Sequence, residues 1–352
     1  MPTAATAPSD PPVLLTRLRS LVRGRDLGSL AERLADLADL VGVDMVRFEA
    51  DLPSLRPEGT AVERASLHLV DQGGKRLRPI CVALATRLGT GFDERGLDLA
   101  IAVELVHAAT LLHDDVVDLG ETRRGAPAAR MIFGNAVSIF AGDWLLIDAL
   151  RRVRRAGVDG TLDRLLAVIE EMIFAESLQL ERRGRLDTTI DDWFEVVEGK
   201  TAALFRWAMF AGAKAGGLDA DACASLERYG NHLGVAFQAT DDLLDLTGDP
   251  EATGKALFAD LGEGKLTYPL IHALRRSPEL EPELRAIIDG ATPPERYGRV
   301  LSLVEQAGSF ERVRDLALEH AERARLALTD LPPSRARQAL ETVAAAVVHR
   351  PA

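Results

Sequence analysis

The chain has 352 residues, of which 47% are hydrophobic, enough apolar side chain for a large core and too much for a disordered chain. Its 54 acidic and 42 basic residues leave a formal charge of −12 and a pI near 5.2, which excludes a general nucleic-acid binder with a net positive face. Two cysteines, Cys81 and Cys223, exclude a disulfide framework or a multi-thiolate metal centre and point to a reducing compartment, the cytoplasm.

Residues 1–13 read as a disordered tail, with no basic stretch followed by an apolar one as a secretory signal would have. Residues 14–60 mix Leu, Val and Ala with charges and predict flanking helices that carry no chemistry. Residues 61–346 predict one all-α domain, and residues 347–352 a short tail. Inside the domain, apolar residues recur at three- and four-residue intervals over 96–118, 162–182, 190–214 and 221–246. Between residues 58 and 277 prolines stand only at Pro79, Pro127, Pro250 and Pro269. That placement suits connections and helix starts, because proline lacks the amide donor a helix interior needs. No uncharged stretch reaches the roughly 18–20 residues a membrane-spanning helix requires, so no transmembrane segment is expected.

Two short acidic motifs punctuate this helical frame, HDDVVD at 113–118 and TDDLLD at 240–245. Asp114, Asp115 and Asp118 stand at i, i+1 and i+4, and Asp241, Asp242 and Asp245 repeat the spacing. The first and last of each trio therefore share a helix face one turn apart, where like charges cost about 0.2–0.5 kcal/mol per pair. Apolar neighbours, among them Leu112, Val116, Phe237 and Leu243, favour a shared cation site over two solvated acidic faces. Oxygen-only donors suit a hard ion such as Mg²⁺, which takes one or two carboxylates together with water and phosphate oxygens. A phosphorylated ligand is thereby implied. His113 lacks partners at zinc-ligand spacing.

Basic residues supply the complement: Lys75, Arg76 and Arg78 in GGKRLRP, Arg123 and Arg124 in RRG, Lys200 before Thr201 in EGKTAALF, and Lys255 and Lys265 after the second acidic motif. Arginine forks and compact lysine charges can hold two diphosphates without a P-loop, and no GxxxxGK[ST] run occurs.

These motifs, with AGDWLL at 141–146, FQATDDLLD at 237–245 and DLGEGKLTYPLI at 260–271, make the chain resemble the polyprenyl synthetase family, the trans-isoprenyl diphosphate synthases. The resemblance runs from GGKRLRP to the Ala-rich C-terminal helices, in the family's order. It implies an all-α, isoprenoid synthase-type helical bundle around a deep central cavity, with the acidic motifs facing across its mouth, and a homodimer. It further implies that Asp114, Asp118 and Asp241 hold Mg²⁺, about three ions per active site, with Asp115, Asp242 and Asp245 completing the shells. Arg123, Lys200 and Lys255 would contact the allylic diphosphate. Lys75, Arg78, His107 and Arg124 would hold isopentenyl diphosphate, with Arg76 at the edge. Thr201 and Gln238 would lie near the reacting carbons, and Lys265 would help to close the mouth.

The implied chemistry is ionisation of the allylic carbon–oxygen bond, attack by the isopentenyl alkene, and loss of a proton, which requires no side-chain nucleophile. In the family, bulk about five residues before the first aspartate limits product length. Here Ala109 and Thr110 stand there, so the cavity is expected to be open and the product longer than geranylgeranyl, with Phe140, Trp144 and Ile147 as deeper floors. A shorter-chain farnesyl or geranylgeranyl synthase is the nearest alternative. A terpene cyclase would need no GGKRLRP pocket, and a non-catalytic subunit would usually have lost an acidic motif. Where Pro-Thr-Ala-Asn is common in the family the chain has Pro127, Ala128, Ala129 and Arg130, departing at Ala128 and Arg130, and it departs again at Ala256 and Phe258 in a loop where Lys-Pro-x-Gly is common. Arg130 is expected to add charge near the site and Phe258 to narrow the loop over it.

Overall fold

The computed structural model describes residues 28–52, 59–248, 257–290 and 294–349. The expectations for residues 1–13 and for Pro250, Lys255 and Ala256 lie outside these. In chain order the helices are α1 (Gly28–Asp51), α2 (Ala61–Asp71), α3 (Leu77–Arg87), α4 (Glu94–Val117), α5 (Ala129–Phe133), α6 (Asn135–Ala156), α7 (Thr161–Arg182) and α8 (Ile190–Val197). A π-helical turn, Glu198–Ala202, leads into α9 (Ala203–Ala215), followed by α10 (Ala220–Thr247), α11 (Ala259–Gly262), α12 (Tyr268–Leu274), α13 (Leu280–Ile288), α14 (Pro294–Gln306), α15 (Ser309–Ala327) and α16 (Arg335–Val348).

Local chemistry sets several of these boundaries. Asp93 starts α4 by accepting the Arg95 and Gly96 amides at 3.0 Å each, and Asp219 starts α10 by accepting the Ala222 amide at 2.8 Å. Thr189 and Asp192 form a reciprocal capping box on α8. Pro79 falls in the first turn of α3 and Pro269 in that of α12, where a missing amide costs nothing.

Two features depart from the expected helices. The predicted run 190–214 is interrupted by the π turn, which separates α8 from α9. The segment after the first acidic motif forms a small antiparallel hairpin, β1 (Thr122–Arg123) with β2 (Ala126–Pro127), turned by Arg124 and Gly125 at φ of 54° and 77°. Two successive positive φ values match the strand twist of a tight hairpin.

Helix α4 is apolar around nearly its whole circumference and sits in the interior, packed on α3, α6 and α9. Among the described residues it is the one helix long and apolar enough to cross a bilayer, and 78% of its apolar window is buried within the bundle. Helix α10 packs on α9 and α15, so α9 is the shared wall between the two helices that carry the acidic motifs. The largest core cluster spans α1, α3, α4, α9 and α10. Fully buried Trp207 lies within it, its indole N–H bonded to the Thr161 carbonyl at 2.9 Å. A smaller cluster around Leu246, Leu261 and Leu284 supports the end of α10.

Candidate active site

Both acidic motifs occupy the last turns of their helices. Asp114 and Asp115 lie in the final turn of α4, and Asp118 is its C-cap residue. Asp241, Asp242 and Asp245 lie in the last two turns of α10. Two paths of contacts, the second partly through the backbone, join these helix ends. In the first, Lys200 Nζ on the π turn is 3.5 Å from Asp114, the adjacent Thr201 hydroxyl donates to Gln238 Oε1 at 3.0 Å, and Gln238 Nε2 donates to Asp242 at 2.9 Å. In the second, Lys265 Nζ donates to Asp118 at 2.6 Å, the Lys265 amide bonds the Asp260 carbonyl at 2.8 Å, and the Asp260 amide donates to Asp245 at 3.3 Å.

Members of each trio meet different surroundings. Asp115 is 1% exposed and accepts from Arg123 Nε at 2.9 Å through one oxygen, while its other oxygen is buried with no hydrogen-bond partner among the described residues. Asp242 is also buried, accepting from the Trp193 indole at 2.7 Å and the Tyr268 amide at 3.1 Å in addition to Gln238. Burial pushes its carboxyl up to about 7 despite these donors. Asp114 and Asp118 remain partly accessible. Burial raises the Asp114 carboxyl above its ordinary range against the opposing pull of Lys200. At Asp118 burial is outweighed by Lys265, with Lys200 and Arg183 beside it, and the carboxyl is held low.

The basic motifs converge on the neighbouring side. Arg124 reaches back from the hairpin to the carbonyls of Leu69, at 3.3 Å, and Gly73, tying it to the loop that carries Lys75. The Arg78 guanidinium lies 4.5 Å from the centre of the Phe205 ring. Burial, reinforced by Arg78, Arg124, Arg123 and Arg76, drives His107 well below the usual imidazole range and keeps it neutral. Lys75 is exposed. Arg76, expected at the edge of the pocket, turns inward at φ 52° to pair with Glu104 at 2.6 Å and Glu49 at 3.3 Å, because the start of α3 directs it into the core.

Other expectations also shift. The loop that Phe258 is expected to narrow lies, over residues 249–256, outside the described residues. Phe258 itself is 3% exposed and packs on Tyr297 with ring centres 4.6 Å apart, while its amide bonds the Asp245 carbonyl. Arg130 donates to the Leu119 and Gly120 carbonyls at 2.9 and 3.0 Å, spending its charge on the turn after α4. Ala109 is packed in the core and Thr110 is half-buried, its hydroxyl donating to the His107 carbonyl at 2.8 Å. Phe140 and Ile147, expected as floors, are 59% and 49% exposed on α6, and of that set only Trp144 packs against the core.

Residues unassigned in the sequence also reach the site. Glu176 and Gln179 of α7 both hold Lys200, the latter at 3.0 Å. Arg183 pairs with Asp118, and Trp193 supports Asp242. Glu176 and Gln179 carried a readable signal, two polar groups at i and i+3 on a helix with apolar neighbours. Arg183 and Trp193 carried none.

A helical bundle bringing two acidic helix ends and a set of cations to one place defines an isoprenoid synthase-type fold. Residues 60–306 match the polyprenyl synthetase family, and the chain belongs to it. The chain is 34% identical to an octaprenyl diphosphate synthase of Escherichia coli over 90% of its own length and 99% of that protein's. It is 35% identical to a short chain isoprenyl diphosphate synthase of Methanothermobacter thermautotrophicus, over 86% of this chain and 94% of the relative. In structure it is similar to a polyprenyl synthase from Caulobacter crescentus complexed with calcium and isoprenyl diphosphate. The TM-score is 0.85 at 35% identity, covering 94% of this chain and 100% of that one. The chain is a prenyltransferase of the trans-polyprenyl diphosphate synthase type.

Proposed function

We propose that this enzyme extends an allylic diphosphate with isopentenyl diphosphate into a long-chain, all-trans product where the two acidic motifs converge. The observation that carries this reading is the pair of contact paths, through Lys200, Thr201 and Gln238 and through Lys265, that makes one site of two distant motifs. The octaprenyl relative and the small side chains at Ala109 and Thr110 support a long product. The short-chain relative supports the second reading, a product of geranylgeranyl length or less.

The donor set fits Mg²⁺. Among the described residues no three His, Cys, Asp or Glu side chains form a metal cage by themselves, so phosphate oxygens and water would complete the coordination. Asp114, Asp118 and Asp241 would hold the ions, with Asp115, Asp242 and Asp245 behind them. When bound, Mg²⁺ would neutralise charge on the departing diphosphate. Lys200 and Arg123 would grip that diphosphate, and Lys265 would cover it. Arg78 and Arg124, beside neutral His107, would hold the second diphosphate and set its alkene against the allylic carbon. Thr201 and Gln238, already bonded to each other, would flank the reacting carbons. The paired rings of Phe205 and Phe237 would help to exclude water that would otherwise capture the cation.

A homodimer belongs to the same proposal. Phe140 and Ile147 on α6 with Leu166, Ile173 and Phe174 on α7 expose apolar side chains that a second copy would cover, and the mass in solution reads this directly. So does a cytoplasmic location, which suits the two free, buried thiols. The deciding experiment supplies the chain alone with Mg²⁺, farnesyl diphosphate and isopentenyl diphosphate and sizes the product. Linear chains beyond geranylgeranyl are expected. Arrest at that length overturns the long-chain reading, hydrocarbon indicates a cyclase, and no turnover indicates a required partner.

A further inference from the structure

One polar network reaches the site only through the backbone. The π turn is closed by the Ala203 amide bonding the Glu198 carbonyl, five residues back. Arg206, on α9, donates to that same carbonyl through Nη1 at 3.3 Å and to Asn231 Oδ1 of α10 at 2.8 Å. Its other terminal nitrogen pairs with Glu171 of α7. Asn231 Nδ2 then donates to the Glu198 carboxylate at 3.2 Å, closing the network. Arg206 thus ties three helices to the first carbonyl of the turn that projects Lys200 and Thr201.

Steric contacts leave that turn little room to translate. A Cβ on Gly199 would lie 2.7 Å from the Ala175 Cβ of α7, and one on Gly234 would lie 2.4 Å from the Ala202 Cα. The remaining freedom is rotational. If the Glu198 carbonyl exchanged the Ala203 amide for that of Ala202, the turn would rewind to α-helix, and side chains on either side of the change would rotate relative to each other by about 100°. Lys200 and Thr201 would then leave their partners on α7 and α10.

We propose that Arg206 is a positioning residue that holds the π turn in register and so aims Lys200 and Thr201 at the allylic substrate. This rests on the proposed reading of Lys200 as a diphosphate contact. Full-length R206Q, R206K and K200A are compared for kcat, for KM toward farnesyl and isopentenyl diphosphates, and for Tm. R206Q is expected to raise the farnesyl diphosphate KM about fivefold or more and to lower kcat, leaving the isopentenyl KM nearly unchanged, with R206K recovering part of the loss. A lower Tm with both KM values unchanged would make Arg206 merely structural and overturn the inference. Should R206Q fail to fold, N231A, which removes one anchor of the same guanidinium, is expected to show the same split to a smaller degree, and its absence there overturns the inference equally. If K200A leaves the farnesyl KM unchanged, the reading of Lys200 fails and this inference with it. If K200A raises that KM and R206Q does not, only the role of Arg206 falls.

Discussion

Arg76 and Arg78 stand two residues apart in one basic motif, yet backbone geometry sends them to different work. Arg76 is 4% exposed and held between Glu104 and Glu49, whereas Arg78 faces Phe205 and its Nε has no hydrogen-bond partner among the described residues. A buried pair is of little net benefit against apolar replacements, but removing one partner leaves the other charged and desolvated. Arg76→Met is therefore expected to cost about 3–5 kcal/mol in urea unfolding, with Arg76→Met/Glu104→Leu restoring much of it. At Ala109 the argument concerns volume. Tyrosine there must displace packed neighbours at a cost of about 1–3 kcal/mol, and the side chain it adds is expected to shorten the product found by chromatographic sizing. An unchanged product would show that Ala109 lies off the path of the growing chain.

At the scale of elements, α10 and α15 meet through a histidine pair. His232 Nδ1 and His320 Nδ1 are 3.3 Å apart, His320 stacks on Phe194, and Arg323 and Glu319 face the pair together with Glu198. Burial, then the neighbouring His232 and Arg323, pushes His320 down to about 4 from an ordinary 6.5, so the unfolded chain binds this proton more readily than the folded one. Its contribution to stability is full above about pH 6.5 and is lost as pH falls toward about 4. Thermal midpoints measured across that window are expected to decline, and His320→Phe should flatten the decline. The acidic motifs pose a related problem. Both lie in last helical turns without a basic residue, where carbonyl dipoles already point negative ends outward. Millimolar Mg²⁺ is accordingly expected to raise Tm without substrate, and more than NaCl at equal ionic strength, since binding to the folded state alone adds stability.

Across the whole molecule, the helices and both acidic motifs were legible because a 3.6-residue period and clustered carboxylates are local patterns. Residues 96–118 and 221–246 became α4 and α10 with ends displaced by two residues or fewer. The π turn was not legible, since nothing in EGKTA distinguishes a five-residue hydrogen bond from a four-residue one until α7 and α10 close around it. The inward turn of Arg76, the anchoring of Phe258 on Tyr297 and the exposure of Phe140 are likewise decided by packing between segments far apart in sequence.

Because the acidic trios terminate α4 and α10, the proposed reactive centre coincides with the ends where those helices are least comfortable. At Asp114, whose carboxyl burial raises, a neutral replacement is expected to make a sturdier protein and, on the proposed reading, an idle one. Selection for heat resistance in this chain is thus steered elsewhere, toward surfaces remote from both termini, while the two helix ends stay poorly optimised for as long as turnover is needed.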